Sequence, residues 1–302
     1  MWGFAGSPLV DGDRLICVTP KKGALVTAFD KRTGDVRWAA LSAPEPGYAP
    51  PIVCEAAGRR QLIVWHPQSV NSLDPETGKV FWTVPFGPVE YGVSIMTPRF
   101  HHDPKLGDVL MVSSQREGAM VLRLGKGEDG RPKADVLWSR KGRSDRNTDA
   151  LHVMMATPVV RDGLIFGVDA RGRLRCLDLA TGDRLWETQA ATTYDQGPQP
   201  YATTFLVPLG DAGGRFLLPN EHGDLILADL TRRGYAEVGR AHLLDPTNSD
   251  AGRPALWSHP AFASGCLLWR NDRELVCVPL TPEAGKAAAG GGGAGRPPPR
   301  PR

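Results

Sequence analysis

Apolar and polar positions alternate with a period of two through short runs of this chain, among them Val26, Ala28 and Asp30; Val70, Ser72 and Asp74; and Leu174, Cys176 and Asp178. That period predicts strands with one buried face. Each run closes on the same phrase, Asp, two residues, Thr-Gly, three residues, Trp, at Asp30 to Trp38, Asp74 to Trp82 and Asp178 to Trp186. Thr-Gly sits where a tight turn must reverse the strand, so the phrase predicts a hairpin ending in a Trp, and its recurrence predicts a repeat protein.

A proline that opens an apolar strand recurs as Ser7-Pro8, Pro50-Pro51, Thr97-Pro98, Thr157-Pro158 and His259-Pro260, with Thr204-Phe205 in register but lacking the proline. Six units follow. From Pro8 to Pro260 is 252 residues over five intervals, or roughly 50 each, slightly longer than the ~40–45 of a propeller blade of four short strands. Long loops account for the excess. Two units have degenerate hairpins: Met120 to Leu124 with Trp138 after an insertion, and Leu225 to Asp229 with Thr231 and Gly234 but no Trp. The last unit offers only three strands, His259 to Ala263, Cys266 to Trp269 and Leu275 to Leu280. The fold class is therefore all-β, a propeller of four-stranded antiparallel blades with one blade short of its outer strand.

The three phrases resemble the tryptophan-docking motif of the pyrroloquinoline quinone (PQQ)-like repeat β-propellers, in which the Trp of one blade packs against the next. The resemblance covers residues 2–280. Within the family, Trp2-Gly3-Phe4 before Ser7 to Gly12, and Trp257-Ser258-His259-Pro260, look most like bacterial proteins labelled polyvinyl-alcohol-dehydrogenase-like or outer-membrane-assembly-like. It implies a periplasmic or envelope location. It also implies about two further blades upstream and a secretory signal, so an N-terminally truncated chain and part of an eight-bladed ring are the expectation. In this resemblance Trp38, Trp82, Trp138 and Trp186 are structural, filling the space between blades while each indole N–H seeks an acceptor.

Composition adds boundaries. Hydrophobic residues make up 41% and charged residues 23%, with no apolar run of membrane-spanning length and no N-terminal apolar segment of a signal peptide. Continuous repeats predict one domain over residues 1–280. Residues 281–302, rich in Ala, Gly, Pro and Arg, are expected to be a disordered tail. The net charge of +3 includes +4 from Lys286, Arg296, Arg300 and Arg302, which leaves residues 1–285 at −1. A nucleic-acid partner would require a basic face, so none is expected; Arg59-Arg60 and Arg232-Arg233 are read as solvated turns.

Five cysteines include no Cys-x-x-Cys pair, so no zinc site is expected. A hairpin turning at Asn271-Asp272 would set Cys266 opposite Cys277, a conceivable disulfide with poor geometry. His101-His102-Asp103 is read as a surface loop and not a metal site. The family's catalytic members hold the quinone against an adjacent-cysteine disulfide, absent here, and no Asp or Glu matches a calcium or base position. The leading expectation is a non-catalytic scaffold for a protein or an extended polymer, without cofactor; a PQQ- and calcium-dependent alcohol dehydrogenase is the alternative. Loops that lead into the innermost strands cluster at one end of a propeller channel. They hold Phe4, Tyr48, Tyr91, Asp149, His152, Tyr201, Trp257 and His259, and with Asn220 and Glu221 of the fifth unit these form the candidate binding face, some as rim packing.

Overall fold

The computed structural model of the chain describes residues 6–21, 23–87, 94–210 and 213–280. Phe4, Tyr91 and the tail from 281 lie outside the described residues. Five consecutive four-stranded antiparallel meanders follow one another: β1 (Leu9–Asp11) to β4 (Val36–Ala40), with β2 (Arg14–Lys21) and β3 (Ala24–Asp30) between; β5 (Ile52–Ala56), β6 (Arg59–His66), β7 (Ser69–Leu73) and β8 (Val80–Pro85); β9 (Arg99–Asp103), β10 (Gly107–Ser114), β11 (Gly118–Lys126) and β12 (Pro132–Arg140); β13 (Val159–Arg161), β14 (Leu164–Val168), β15 (Leu174–Asp178) and β16 (Arg184–Thr188); and β17 (Val207–Pro208), β18 (Arg215–Pro219), β19 (Asp224–Thr231) and β20 (Gly234–His242). A small hairpin, β21 (Asn248–Asp250) and β22 (Arg253–Ala255), precedes a three-stranded sixth sheet of β23 (Ala261–Ala263), β24 (Cys266–Arg270) and β25 (Leu275–Pro279). The architecture is a β-propeller, and no helix occurs among the described residues.

The core lies between sheets rather than within them. Ile16, Val26, Ala28 and Trp38 of the first blade bury against Leu62, Val64 and Leu73 of the second. The second, third and fourth share one cluster, the fourth and fifth another, and Leu225 of the fifth meets Leu267 and Trp269 of the sixth. A strand buried on both faces loses its polar alternation, which is why β7 is buried throughout and β14 reads Leu-Ile-Phe-Gly-Val.

The repeated phrase works as a turn that receives a side chain. Asp30 Oδ1 accepts the amides of Arg32 and Thr33 at 2.8 and 3.0 Å, and the Gly34 amide donates to Asp30 O at 2.9 Å. Asp74 and Asp178 repeat the pattern. In each four-stranded blade the outer strand carries a bulge, and in four of them the next residue is the Trp: Trp38 pairs with Ala28, Trp82 with Ser72, Trp138 with Val121 and Trp186 with Cys176. In the fifth blade Gly239 takes that place.

Trp38 Nε1 donates to Pro75 O of the next blade's turn at 3.1 Å, Trp138 to Leu179 O at 2.8 Å and Trp186 to Thr231 O at 2.8 Å. Trp82 differs, because the third blade has no Asp-x-x-Thr-Gly turn to offer a carbonyl. Its indole donates instead to Gln61 Oε1 at 3.0 Å, within its own blade. Gln61 is wholly buried and is fixed by Ser72 Oγ and the Ala56 carbonyl.

Several sequence expectations are corrected. His101, His102 and Asp103 belong to β9 rather than to a loop, with His102 Nδ1 2.8 Å from Asp108 Oδ1; strand pairing with β10 satisfies a backbone whose sequence is polar. The β24–β25 turn is four residues long, Asn271 to Glu274, because Arg270 pairs with Leu275. Cys266 therefore faces Pro279 and Cys277 faces Leu268, and the two thiols meet only as diagonal neighbours, in hydrogen-bond contact and without a disulfide. Arg59 and Arg60 start β6, and Arg60 pairs with Asp11 of the first blade. Arg232-Arg233 is, as expected, an exposed turn, between β19 and β20, and from it Arg232 reaches Asp178 of the fourth blade at 2.8 Å. These are ties between blades.

Trp38→Ala is expected to cost about 3–5 kcal/mol, the range for truncating a buried Trp, read from the denaturant midpoint. A Cβ on Gly78 would lie 2.6 Å from the Trp38 ring, whereas one on Gly34 meets nothing within 4 Å, at similar left-handed φ of 72° and 81°. Gly78→Ala should therefore lose clearly more than the ~1–2 kcal/mol of backbone strain that both substitutions share. Equal losses would show that the ring does not press on the turn.

Candidate functional site

The residues before five innermost strands converge on a cavity of about 500 Å³. Ser7 comes from the first blade, Tyr48 and Pro50 from the second, Ile95 and Met96 from the third, Met155 from the fourth and His259 from the sixth. Only the ring axis is shared by so many blades, so this cavity is the mouth of the channel. Two threonines tie its wall, as Thr157 Oγ1 accepts the Thr97 amide at 3.2 Å, and Arg99 Nε donates to Pro158 O at 2.9 Å. His259 lies against Phe205 with ring centroids 4.0 Å apart and planes tilted by 38°, and the desolvation holds its pKa below the usual value. The lining is thus mostly apolar, with hydroxyls at its edge.

Of the residues marked from the sequence, Tyr48 and His259 meet at this mouth. The other described ones are placed elsewhere. Asp149 is an exposed partner of Arg184 at 2.7 Å. His152 is wholly buried; Nδ1 lies 2.7 Å from Gln115 O and Nε2 accepts the Gly142 amide at 3.3 Å, the arrangement of a neutral ring held by desolvation below its usual pKa. Tyr201 donates its amide to Ala170 O at 2.9 Å. Asn220, also buried, accepts the amides of His222 and Asp224 at 3.0 and 3.1 Å and donates to Ala191 O at 3.2 Å. These bonds shape a turn and hold the Asn220 side chain inside it, away from the surface.

Glu221 and Trp257 do come together. The buried Glu221 carboxylate accepts Trp257 Nε1 at 3.0 Å and a guanidinium N–H of Arg253. Arg253 lies on β22 and also donates to Pro200 O at 2.8 Å, so the three side chains clamp the β21–β22 hairpin onto the fifth blade. Desolvation outweighs the Trp257 and Arg253 contacts and pushes the Glu221 carboxyl up to about 7.

The residues that sequence reasoning missed are Ile95, Met96 and Met155. Met96 stands directly before the landmark Thr97-Pro98, and Met155 one residue further from Thr157-Pro158; a Met just ahead of Thr-Pro in both units is the signal the sequence offers. Among the described residues no group of three or more His, Cys, Asp or Glu is arranged to hold a metal ion.

Six antiparallel meanders in succession, five of them contributing to one mouth and four carrying a Trp on the outer strand, define a β-propeller of PQQ-like repeats. The sequence profile described as outer membrane protein assembly factor BamB matches residues 3–231, and the chain belongs to that family. Among solved structures it is similar to BamB from Moraxella catarrhalis, at 17% identity and a TM-score of 0.58, covering 90% of this chain and 70% of that one. The computationally designed Ika8 protein matches at 9% identity and a TM-score of 0.54, again over 90% and 70%. The quinohemoprotein alcohol dehydrogenase from Comamonas testosteroni matches at 14% identity and a TM-score of 0.50, over 88% of this chain and 51% of that one. No curated protein sequence matches the chain.

Glu221 gives the clamp a pH dependence. Its folded pKa of about 7 exceeds the unfolded 4.5, so the folded state holds the proton more tightly. The stability it contributes is complete below the unfolded value and is lost as pH rises through the folded one. Wild-type melting temperature is expected to carry this decline between pH 5 and pH 8, and Glu221→Gln to flatten it in paired thermal melts. An unchanged slope in the variant would assign the decline to other groups.

Proposed function

We propose that this propeller is a non-catalytic scaffold of the bacterial envelope, whose channel mouth receives a protein partner or an extended polymer. The observation that carries the reading is the lining of the mouth, where Met96, Met155, Ile95 and Tyr48 stand on a frame of five blades. Methionines adapt to varied partner surfaces, while the rigid blades keep the ordering cost of binding low. Membership of the BamB family supports the same reading and an envelope location.

The dehydrogenase remains the alternative through its shared fold. A quinone with several carboxylates needs cations around it and calcium needs oxygen anions. The described residues lining the mouth include neither an Arg or Lys nor an Asp or Glu. The site does not fit that pair, and no chemical step is derived from it.

A photo-crosslinker placed at Met155 in cells is expected to capture one discrete envelope partner, and Met96→Asp is expected to weaken that adduct strongly by putting a charge in the apolar mouth. In parallel, the purified chain with the quinone and calcium is expected to give no alcohol-dependent dye reduction. Turnover with those additions, and no adduct, would replace the scaffold with the enzyme.

A further inference from the structure

A second cavity, of about 310 Å³, shares no residue with the channel mouth. It lies between the β21–β22 hairpin and the turn from β24 to β25, and two side chains lock its walls. Thr247 Oγ1 donates to Asp272 Oδ2 at 3.1 Å and accepts the Asp272 amide at 3.0 Å; Asn271 Nδ2 donates to Asp245 O at 2.9 Å. The volume is at the lower end for small-molecule sites, which suits a ligand of one or two rings.

Trp257 lines this cavity, half-buried, with its Nε1 committed to the buried Glu221 carboxylate at 3.0 Å. An indole pinned at its nitrogen cannot swing away, so it presents a fixed apolar surface. Around it stand groups with unused capacity. Asn248 Oδ1 takes the Ser249 amide at 2.8 Å, which leaves Nδ2 without a partner among the described residues, as are Ser249 Oγ and the exposed Arg270 guanidinium. Asp272 keeps its second carboxylate oxygen.

The chemistry of this set is specific in kind. One cation and one anion cancel, so the cavity does not select an ion of either sign. Neutral amide, hydroxyl, guanidinium and carboxylate groups instead offer both donors and acceptors beside a flat apolar wall. The ligand class that presents a C–H face on one side and hydroxyls that both donate and accept around its rim is a sugar ring. We infer that this cavity is a binding site for an uncharged pyranose sugar, its ring stacked on Trp257 and its hydroxyls held by Asn248, Ser249, Arg270 and Asp272. A glycan site beside a partner-binding mouth would let the propeller rest on a carbohydrate surface while engaging its partner, but the site does not depend on that use.

The test is titration calorimetry of the full chain with diacetylchitobiose, maltose and glucose 6-phosphate, with saturation-transfer NMR to identify the ring that touches protein. One of the two uncharged disaccharides is expected to bind saturably, with transfer strongest to ring C–H protons. Arg270→Ala, on an exposed side chain, is expected to weaken binding about tenfold, the effect of losing one charged hydrogen bond. Trp257→Ala should abolish it. Because that variant loses the Glu221 contact, Trp257→Phe provides the control; it keeps a flat ring and should retain binding. Absence of binding by both disaccharides, binding unchanged in Arg270→Ala and Trp257→Ala, or binding of the phosphate sugar alone would overturn the proposal. Crosslinking at Met155 is expected to be unaffected by Arg270→Ala, which keeps failure here distinct from failure of the scaffold reading.

Discussion

Three of the boundaries between blades are built on an indole that crosses from one blade to a turn on the next. A four-stranded sheet alone buries too little to be stable, and its outer strand is an open edge. The bulge before each Trp turns the side chain out of its own sheet and toward the neighbour. The Asp-x-x-Thr-Gly turn meets it with a carbonyl that takes the N–H and with a Gly that leaves room for the ring, as Gly78 does for Trp38 and Gly182 for Trp138. Packing and hydrogen bonding thus settle the same contact, and a polar group that would be costly to bury is satisfied.

The second blade shows how this constraint operates where the motif fails. The third blade has long strands β11 and β12 and no Asp-x-x-Thr-Gly turn, yet Trp82 is buried. Gln61 supplies the missing acceptor from within the same sheet, held by Ser72 and Ala56 so that it cannot rotate away. In the fifth blade the bulge persists and Gly239 replaces the Trp. There the boundary with the sixth is filled from the other side, by Trp269 with Leu244 and Leu267.

The repeats were legible because they obey local rules. Alternation, Thr-Gly and a fixed Trp spacing place β3, β4, β7, β8, β15 and β16 from sequence alone, and the proline landmarks fix six units. What the sequence did not disclose depends on register or on distant partners. A two-residue turn and a four-residue turn at Asn271 differ by nothing a composition rule can see, so Cys266 and Cys277 were set opposite each other. His101-His102-Asp103 looks like a loop because its strand character comes from pairing with β10. Loop position puts Tyr48 and His259 at the mouth but also gathers His152, and a strand end in the fifth unit adds Asn220 and Glu221. Their polar side chains turn inward to satisfy loop backbone and to clamp a hairpin. Burial of a polar side chain is decided by what lies across from it, and that is not local information.

If docked indoles hold the blades in place, the mouth built on five of them should depend on a contact far from it. Native-state hydrogen exchange of Trp138→Ala tests this most directly. The account expects protection to fall together in β11 and β12, in β15 of the adjoining blade, and in the segments carrying Met96 and Met155. Loss of protection confined to β12, with the mouth segments unchanged, would contradict it and reduce the tryptophans to local packing.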